Sequence, residues 1–182
     1  SPQTAGTPFS ITVTAKDAYE NTVLNHTSPA TISDNTGTLT PALTGNFTNG
    51  IWSGNVTITK SQNDVRITVS GNGKQGVSNY FNISAAPLHH FSINNIIDQI
   101  AGDPFLLSVT ARDVYQNIVK SFSETVDIAD NSGTVSPLRS GNFQDGAWTG
   151  NVVVTQAISN NRITVTRTGG TETGQSNLFD VN

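Results

Sequence analysis

The chain is 182 residues long, has no cysteine or methionine, and carries a net charge of −4 with only nine Lys plus Arg. It therefore has no disulfides, thiolate metal sites or cysteine nucleophile, and no basic field to attract nucleic acid; no apolar run is long enough for a membrane-spanning helix. Ser, Thr, Asn and Gln supply 71 residues while only 12% are charged, a balance poor in helix formers and rich in strand and turn formers that predicts an all-β protein.

Taken in chain order, the first strand is Phe9-Ser10-Ile11-Thr12-Val13-Thr14-Ala15, where apolar and polar residues alternate strictly. A turn follows over residues 16–21. Further strands centre on Ile32, on Leu39, on residues 52–58, on residues 65–69 and on residues 81–83, separated by turn signals at Asp34-Asn35-Thr36-Gly37, Asn49-Gly50 and Gly71-Asn72-Gly73. Residues 88–93 form another strand, and the alternation resumes with Phe105, Leu107, Val109 and Ala111.

That resumption is a repeat. Ala5-Gly6-Thr7-Pro8-Phe9 returns as Ala101-Gly102-Asp103-Pro104-Phe105, Asp17-Ala18-Tyr19-Glu20-Asn21 as Asp113-Val114-Tyr115-Gln116-Asn117, and Asp34-Asn35-Thr36-Gly37-Thr38 as Asp130-Asn131-Ser132-Gly133-Thr134. Gly50-Ile51-Trp52-Ser53-Gly54-Asn55-Val56 returns as Gly146-Ala147-Trp148-Thr149-Gly150-Asn151-Val152. One offset of 96 covers these, with about 30 of 71 positions identical over residues 5–75, before a two-residue insertion ahead of the last strand. The boundaries read as 1–85 for the first copy and 86–182 for the second, each a sandwich of about seven short strands. The counterpart of the strand at 88–93 falls ahead of Ser1, so the first copy is read as lacking its leading strand. The preferred account is a piece of a longer array; the alternative is an open edge that another molecule's strand completes, building a filament.

The Ala-Gly-x-Pro-Phe opening, the alternating strand and the Thr-Ala-Lys/Arg-Asp-x-Tyr-x-Asn turn resemble bacterial and archaeal immunoglobulin-like repeats, the invasin-type and filamin-like repeats of cell-surface proteins. The resemblance implies tandem immunoglobulin-like β-sandwiches in an extracellular setting: surface-anchored arrays, S-layers or adhesin stalks. Those families usually place Gly before the Asn of the turn, where Glu20 and Gln116 stand here.

Candidate chemistry is sparse. Calcium is the best cofactor candidate, with Asp17, Asp34, Asp113 and Asp130 as the acidic ligands shared by both copies, beside Asn21, Asn35, Asn117 and Asn131; the competing reading is that these residues bond their own turns. His26, His89 and His90 have no counterparts in the other copy, and no nucleophile motif appears, so no enzyme is expected. Trp52 and Trp148 share the phase of Gly54, Val56 and Ile58 and of Gly150, Val152 and Val154, which puts them on the core face rather than on a carbohydrate platform. Sequons occur at Asn25, Asn46, Asn55 and Asn82, all in the first copy. Arg66 and Arg162 are expected to pair with a matched Asp. The functional expectation is a non-catalytic spacer or assembly module of an extracellular surface protein, whose partners are neighbouring repeats, copies of itself, surface glycans or host proteins. Any adhesion is expected from exposed Thr/Asn strands or from the divergent loops at residues 25–29 and 121–125.

Overall fold

The computed structural model describes residues 2–182. They form an all-β, helix-free structure of seventeen strands, divided into two compact units, Ser1–Ala85 and Ala86–Asn182.

Unit 1 contains β1 (Gln3–Thr4), β2 (Phe9–Thr14), β3 (Thr31–Asp34), β4 (Ile51–Val56), β5 (Gln62–Val65), β6 (Ile67–Gly71), β7 (Lys74–Val77) and β8 (Phe81–Ser84). β2 pairs with β4, β6 lies between β3 and β7, and β8 lies between β1 and β5. The inward residues of these sheets meet in one core: Ile32, Leu39, Val56, Ile58, Val65, Ile67 and Ile83, with Phe9, Ile11, Trp52, Val69 and Phe81 packed partly buried against it.

Unit 2 contains β9 (His90–Ile93), β10 (Pro104–Arg112), β11 (Val126–Asp130), β12 (Val135–Ser136), β13 (Ala147–Val154), β14 (Ile158–Asn161), β15 (Ile163–Arg167), β16 (Thr173–Gln175) and β17 (Phe179–Val181). Its first sheet runs β12-β13-β10-β9, β15 lies between β11 and β16, and β14 pairs with β17. β10 reads alternately exposed and buried along its whole length, the imprint of a strand with one face on a core.

The structure refines the predicted strands at three places. The single strand expected over residues 65–69 is two, β5 and β6, because Val65 and Ile67 both point inward while the chain changes partner at Arg66, from β8 to β3 and β7. Just ahead of that change Asp64 and, in unit 2, Asn160 take left-handed backbone (φ 54° and 56°), and the ladder register shifts there in both units. Second, Asn72-Gly73 has φ 50° and 70°, the conformation of a tight hairpin, and so leads into β7, a strand whose polar sequence gives no alternation signal. Third, the strand expected around Leu39 is only an isolated bridge, Thr40 to Thr57, in unit 1 and the two-residue β12 in unit 2. Pro41 and Pro137 follow there through cis peptide bonds.

Candidate functional site

The acidic residues shared by the two copies each build a turn. The Asp17 carboxylate accepts hydrogen bonds from the amides of Tyr19 and Asn21 (both 2.9 Å) and from Asn21 Nδ2 (3.1 Å). These bonds, that of the Asn21 side chain first, hold the carboxyl below its ordinary value. Asp113 repeats the set with Tyr115 and Asn117 (all 2.8 Å) and accepts the Ala86 amide as well (2.9 Å). The turn drives Glu20 and Gln116 to φ 68° and 69°, so the position where the resembled families use Gly requires left-handed backbone here too.

Asp34 and Asp130 organise the second matched turn. Asp34 accepts from the amides of Thr36, Thr38 and Leu39 (all 3.1 Å) and from the Thr36 hydroxyl. Asp130 accepts from the amides of Ser132, Thr134 and Val135, from the Ser132 hydroxyl, and from Asn161 Nδ2 at 3.0 Å. Burial pushes the Asp130 carboxyl up, but the Ser132 hydroxyl, the Val135 amide and Asn161 outweigh it, leaving the group below its ordinary value.

Each of these four carboxylates is ringed by N–H and O–H donors, chiefly those of its own turn, whereas calcium wants six to eight oxygen ligands converging on one point; among the described residues no three His, Asp or Glu side chains are grouped together.

Trp52 and Trp148 do what their phase predicts, and the structure adds the reason for the glycines beside them. Each indole lies on the glycine two residues ahead, Gly54 or Gly150, so closely that an added Cβ would collide with the six-membered ring, and its Nε1 edge reaches Gly45 or Gly141. Both rings are half-buried rather than displayed, and Trp52 packs against the core of unit 1.

The arginine expectation is corrected. Arg66 lies with its guanidinium 4.7 Å from the Tyr80 ring centroid and donates to Ser78 O (3.4 Å) and Tyr80 Oη (3.3 Å). Arg162 donates to Gln175 Oε1 (2.9 Å), and its Nε is buried without a hydrogen-bond partner. Neither pairs with Asp. The change of strand partner at this residue turns its side chain toward β7 or β16, away from the Asp turns. Ion pairs formed by residues the copies do not share went unanticipated: Arg167 bridges Glu124 (2.8 Å) and Glu172 (3.3 Å), and Arg139 meets Asp127 (2.7 Å).

The histidines do not converge. His26 packs edge-on to Phe47 with centroids 4.9 Å apart, and His89 Nδ1 lies 3.1 Å from His90 Nδ1 in the other unit. The sequon residues Asn25, Asn46, Asn55 and Asn82 are all exposed, and Asn82 Oδ1 accepts the Asp64 amide (3.1 Å), as Asp180 accepts that of Asn160 (2.8 Å).

No known family pattern and no characterised protein sequence matches the chain. Among solved structures it is similar to the D0-D1 domain of intimin, with 11% identity and a TM-score of 0.39, covering 99% of this chain and 94% of that one. It is similar to domains 4 and 5 of the S-layer protein SbsC, with 17% identity and a TM-score of 0.36 over 93% of this chain and 80% of that one. It is similar as well to invasin, a bacterial integrin-binding protein, with 14% identity and a TM-score of 0.41, where all of this chain spans 37% of the other.

Proposed function

We propose that the chain is a non-catalytic structural module of an extracellular surface protein, a load-bearing spacer of the kind a stalk or surface layer is built from. The observation that best supports this is the use made of the residues the two copies share. The matched Asp residues are consumed by their own turns, and the matched Trp residues by the glycines beneath them. What duplication has kept is the means of folding each unit, and repetition of a self-sufficient sandwich is what extends a surface protein.

The readings that compete with it find less support. Acyl or glycosyl chemistry needs a nucleophile and base, or paired carboxylates, converging on one cleft, and the histidines and shared carboxylates are dispersed. A sugar platform needs an exposed aromatic face, whereas the indoles rest on the core.

Single-molecule stretching tests the proposal. The chain should give separate unfolding events, one per unit, each releasing roughly 30 nm at about 3.5 Å per residue. Yielding without a resolved force peak would overturn the load-bearing role.

A further inference from the structure

An asparagine side-chain amide is open to attack by the next main-chain nitrogen when glycine follows, because glycine has no Cβ to screen that nitrogen. The chain has two such dipeptides, Asn49-Gly50 and Asn72-Gly73. Each forms the two-residue turn of a hairpin in unit 1, between Thr48 and Ile51 and between Gly71 and Lys74. The two turns have the same backbone. Asn49 and Asn72 both take φ 50°, Gly50 and Gly73 take 73° and 70°, and both asparagines are exposed. Unit 2 has Asp145-Gly146 in place of the first pair, and Thr168-Gly169-Gly170-Thr171 at the tip of the hairpin matching the second.

The turns differ in how they are held. Gly50 is buried, its carbonyl accepts the Ala15 amide at 2.8 Å, and an added Cβ would collide with the Val23 carbonyl. Gly146 is held in the same way by Ala111 and Val119. For the glycine nitrogen to reach the side-chain carbon of the asparagine, the peptide between them must swing. At Gly50 that swing breaks the Ala15 bond and drives the chain against Val23. At Gly73 nothing lies within 4 Å of an added Cβ, and among the described residues the Asn72 side chain makes no hydrogen bond. The strand beyond, β7, is exposed at all four residues and pairs with β6 alone. The openness belongs to the tip itself: in unit 2, where β9 is in place, Gly169 and Thr171 at the matching tip are exposed as well.

We propose that Asn72 is a site of spontaneous covalent modification by water, selected over Asn49 by the freedom of its turn. The Gly73 amide nitrogen, deprotonated by hydroxide, attacks Asn72 Cγ. The N–Cγ bond that forms closes a succinimide ring, the Cγ–Nδ2 bond breaks, and the side-chain nitrogen takes up a proton from water and leaves as ammonia. Water then opens the ring at either carbonyl, leaving aspartate or isoaspartate; nothing is oxidised or reduced. Either product adds a negative charge at the hairpin tip. Isoaspartate also inserts a carbon into the main chain of a two-residue turn, which cannot then hold Gly71 opposite Lys74, so β7 loosens from β6. The matching hairpin of unit 2 has no asparagine at its tip and is spared. This site stands apart from the load-bearing reading, whose stretching test it leaves untouched.

The test is to incubate the full chain at neutral and at mildly alkaline pH, then weigh and fragment its tryptic peptides and assay them for isoaspartate by enzymatic methyl transfer. A gain of about one dalton, with isoaspartate, is expected at Asn72 in the peptide Ile67–Lys74. It should accumulate at least about tenfold faster than at Asn49, where reaction waits for local opening of the turn. The rate at Asn72 should rise in proportion to hydroxide, and amide exchange over Lys74–Val77 should quicken in the modified chain. In concentrated urea, where neither turn is held, the two rates should converge. An unmodified Asn72, equal rates at Asn49 and Asn72 in the folded chain, a rate indifferent to pH, or a preference for Asn72 that persists in urea would each overturn the proposal, the last by tracing the preference to neighbouring residues instead of the fold.

Discussion

The two units share a sequence pattern and differ in how completely they close over it. Leu107, Val109 and Val165 are fully buried in unit 2, while their counterparts Ile11, Val13 and Val69 are half-buried in unit 1; Phe179 is buried where Phe81 is not. Asp113 is fully buried and Asp17 exposed, though their turns are bonded alike. The residue types at these positions are the same or nearly so, so composition does not explain the difference. It follows from the stretch leading into β10: β9 covers the edge of β10 and, through Phe91, the aromatic cluster behind it, Ala86 bonds Asp113, and residues 96–99 bond Asn177 and Asp180 beside β17. One leading segment thus sets the burial of residues on several strands, because in a sandwich each sheet is the other's shield from water.

The sharpest way to break this comparison is a matched pair of glycine substitutions. Gly174→Ala forces a methyl group against the Phe91 carbonyl and should destabilise unit 2 by about 2–4 kcal/mol, since neither backbone can yield without loosening β9. Gly76→Ala meets open space and should stay within about 0.5 kcal/mol. Denaturant unfolding with the two indoles as reporters, Trp52 for unit 1 and Trp148 for unit 2, separates the effects; equal losses in both units would dismiss β9 as the cause.

A second substitution exploits a position where the cores differ. Asn161 is fully buried, donates to Asp130 (3.0 Å) and accepts the Asn131 amide (3.0 Å), where unit 1 has the buried Val65. Asn161→Val should cost unit 2 about 1–3 kcal/mol at neutral pH, because it removes one of the three donors to Asp130 Oδ2 and strands the Asn131 amide, whose counterpart in unit 1, the Asn35 amide, bonds Arg66 O instead. The loss should also depend on pH. Asp130 is held below its ordinary value, so its contribution is present above about pH 4 and fades as pH falls through its folded-state value. Asn161 is one cause of that depression, so wild type and variant should converge in acid. Unfolding measured at pH 7 and near pH 2.5 checks this, and a gap that widens in acid would contradict it.

How much of this the sequence shows depends on the range of the interactions involved. The strands with strict alternation, the Asp-led turns and the Trp phase are local patterns, each fixed by residues a few positions apart, and they are legible without coordinates. The break at Arg66 is not, because it depends on which strands are available on either side. β7 is invisible because its residues are polar and exposed, leaving only the Asn72-Gly73 turn as a trace. The Arg partners are hidden for a similar reason: the sequence repeats Arg66 and Asp34 together, but Arg66, at the break between β5 and β6, turns toward Tyr80 instead. The meaning of Gly76 is legible only through Gly174, since a glycine's reason lies in what approaches it.

The smallest effect concerns a strain both units carry. Glu20 and Gln116 hold left-handed backbone inside the Asp-Asn turn, a conformation that costs an L-residue about 1–2 kcal/mol. Glycine would remove that cost but adds freedom to the unfolded chain worth about 0.4–1 kcal/mol, so the two terms largely offset. Gln116→Gly is the cleaner test, because Gln116 bonds through its main chain, its amide donating to Asp113 O and its carbonyl accepting from Arg112 Nη1, whereas the Glu20 side chain pairs with Lys16. The net gain should be about 0.5 kcal/mol, read as a rise of roughly 2–4 °C in the melting temperature of unit 2. Glu20→Gly should give less, since it also gives up the exposed Lys16 pair. If Gln116→Gly instead lowers stability, the turn geometry is held by the Asp113 bonds without strain at this position, and the use of glycine there in the resembled repeats has another cause.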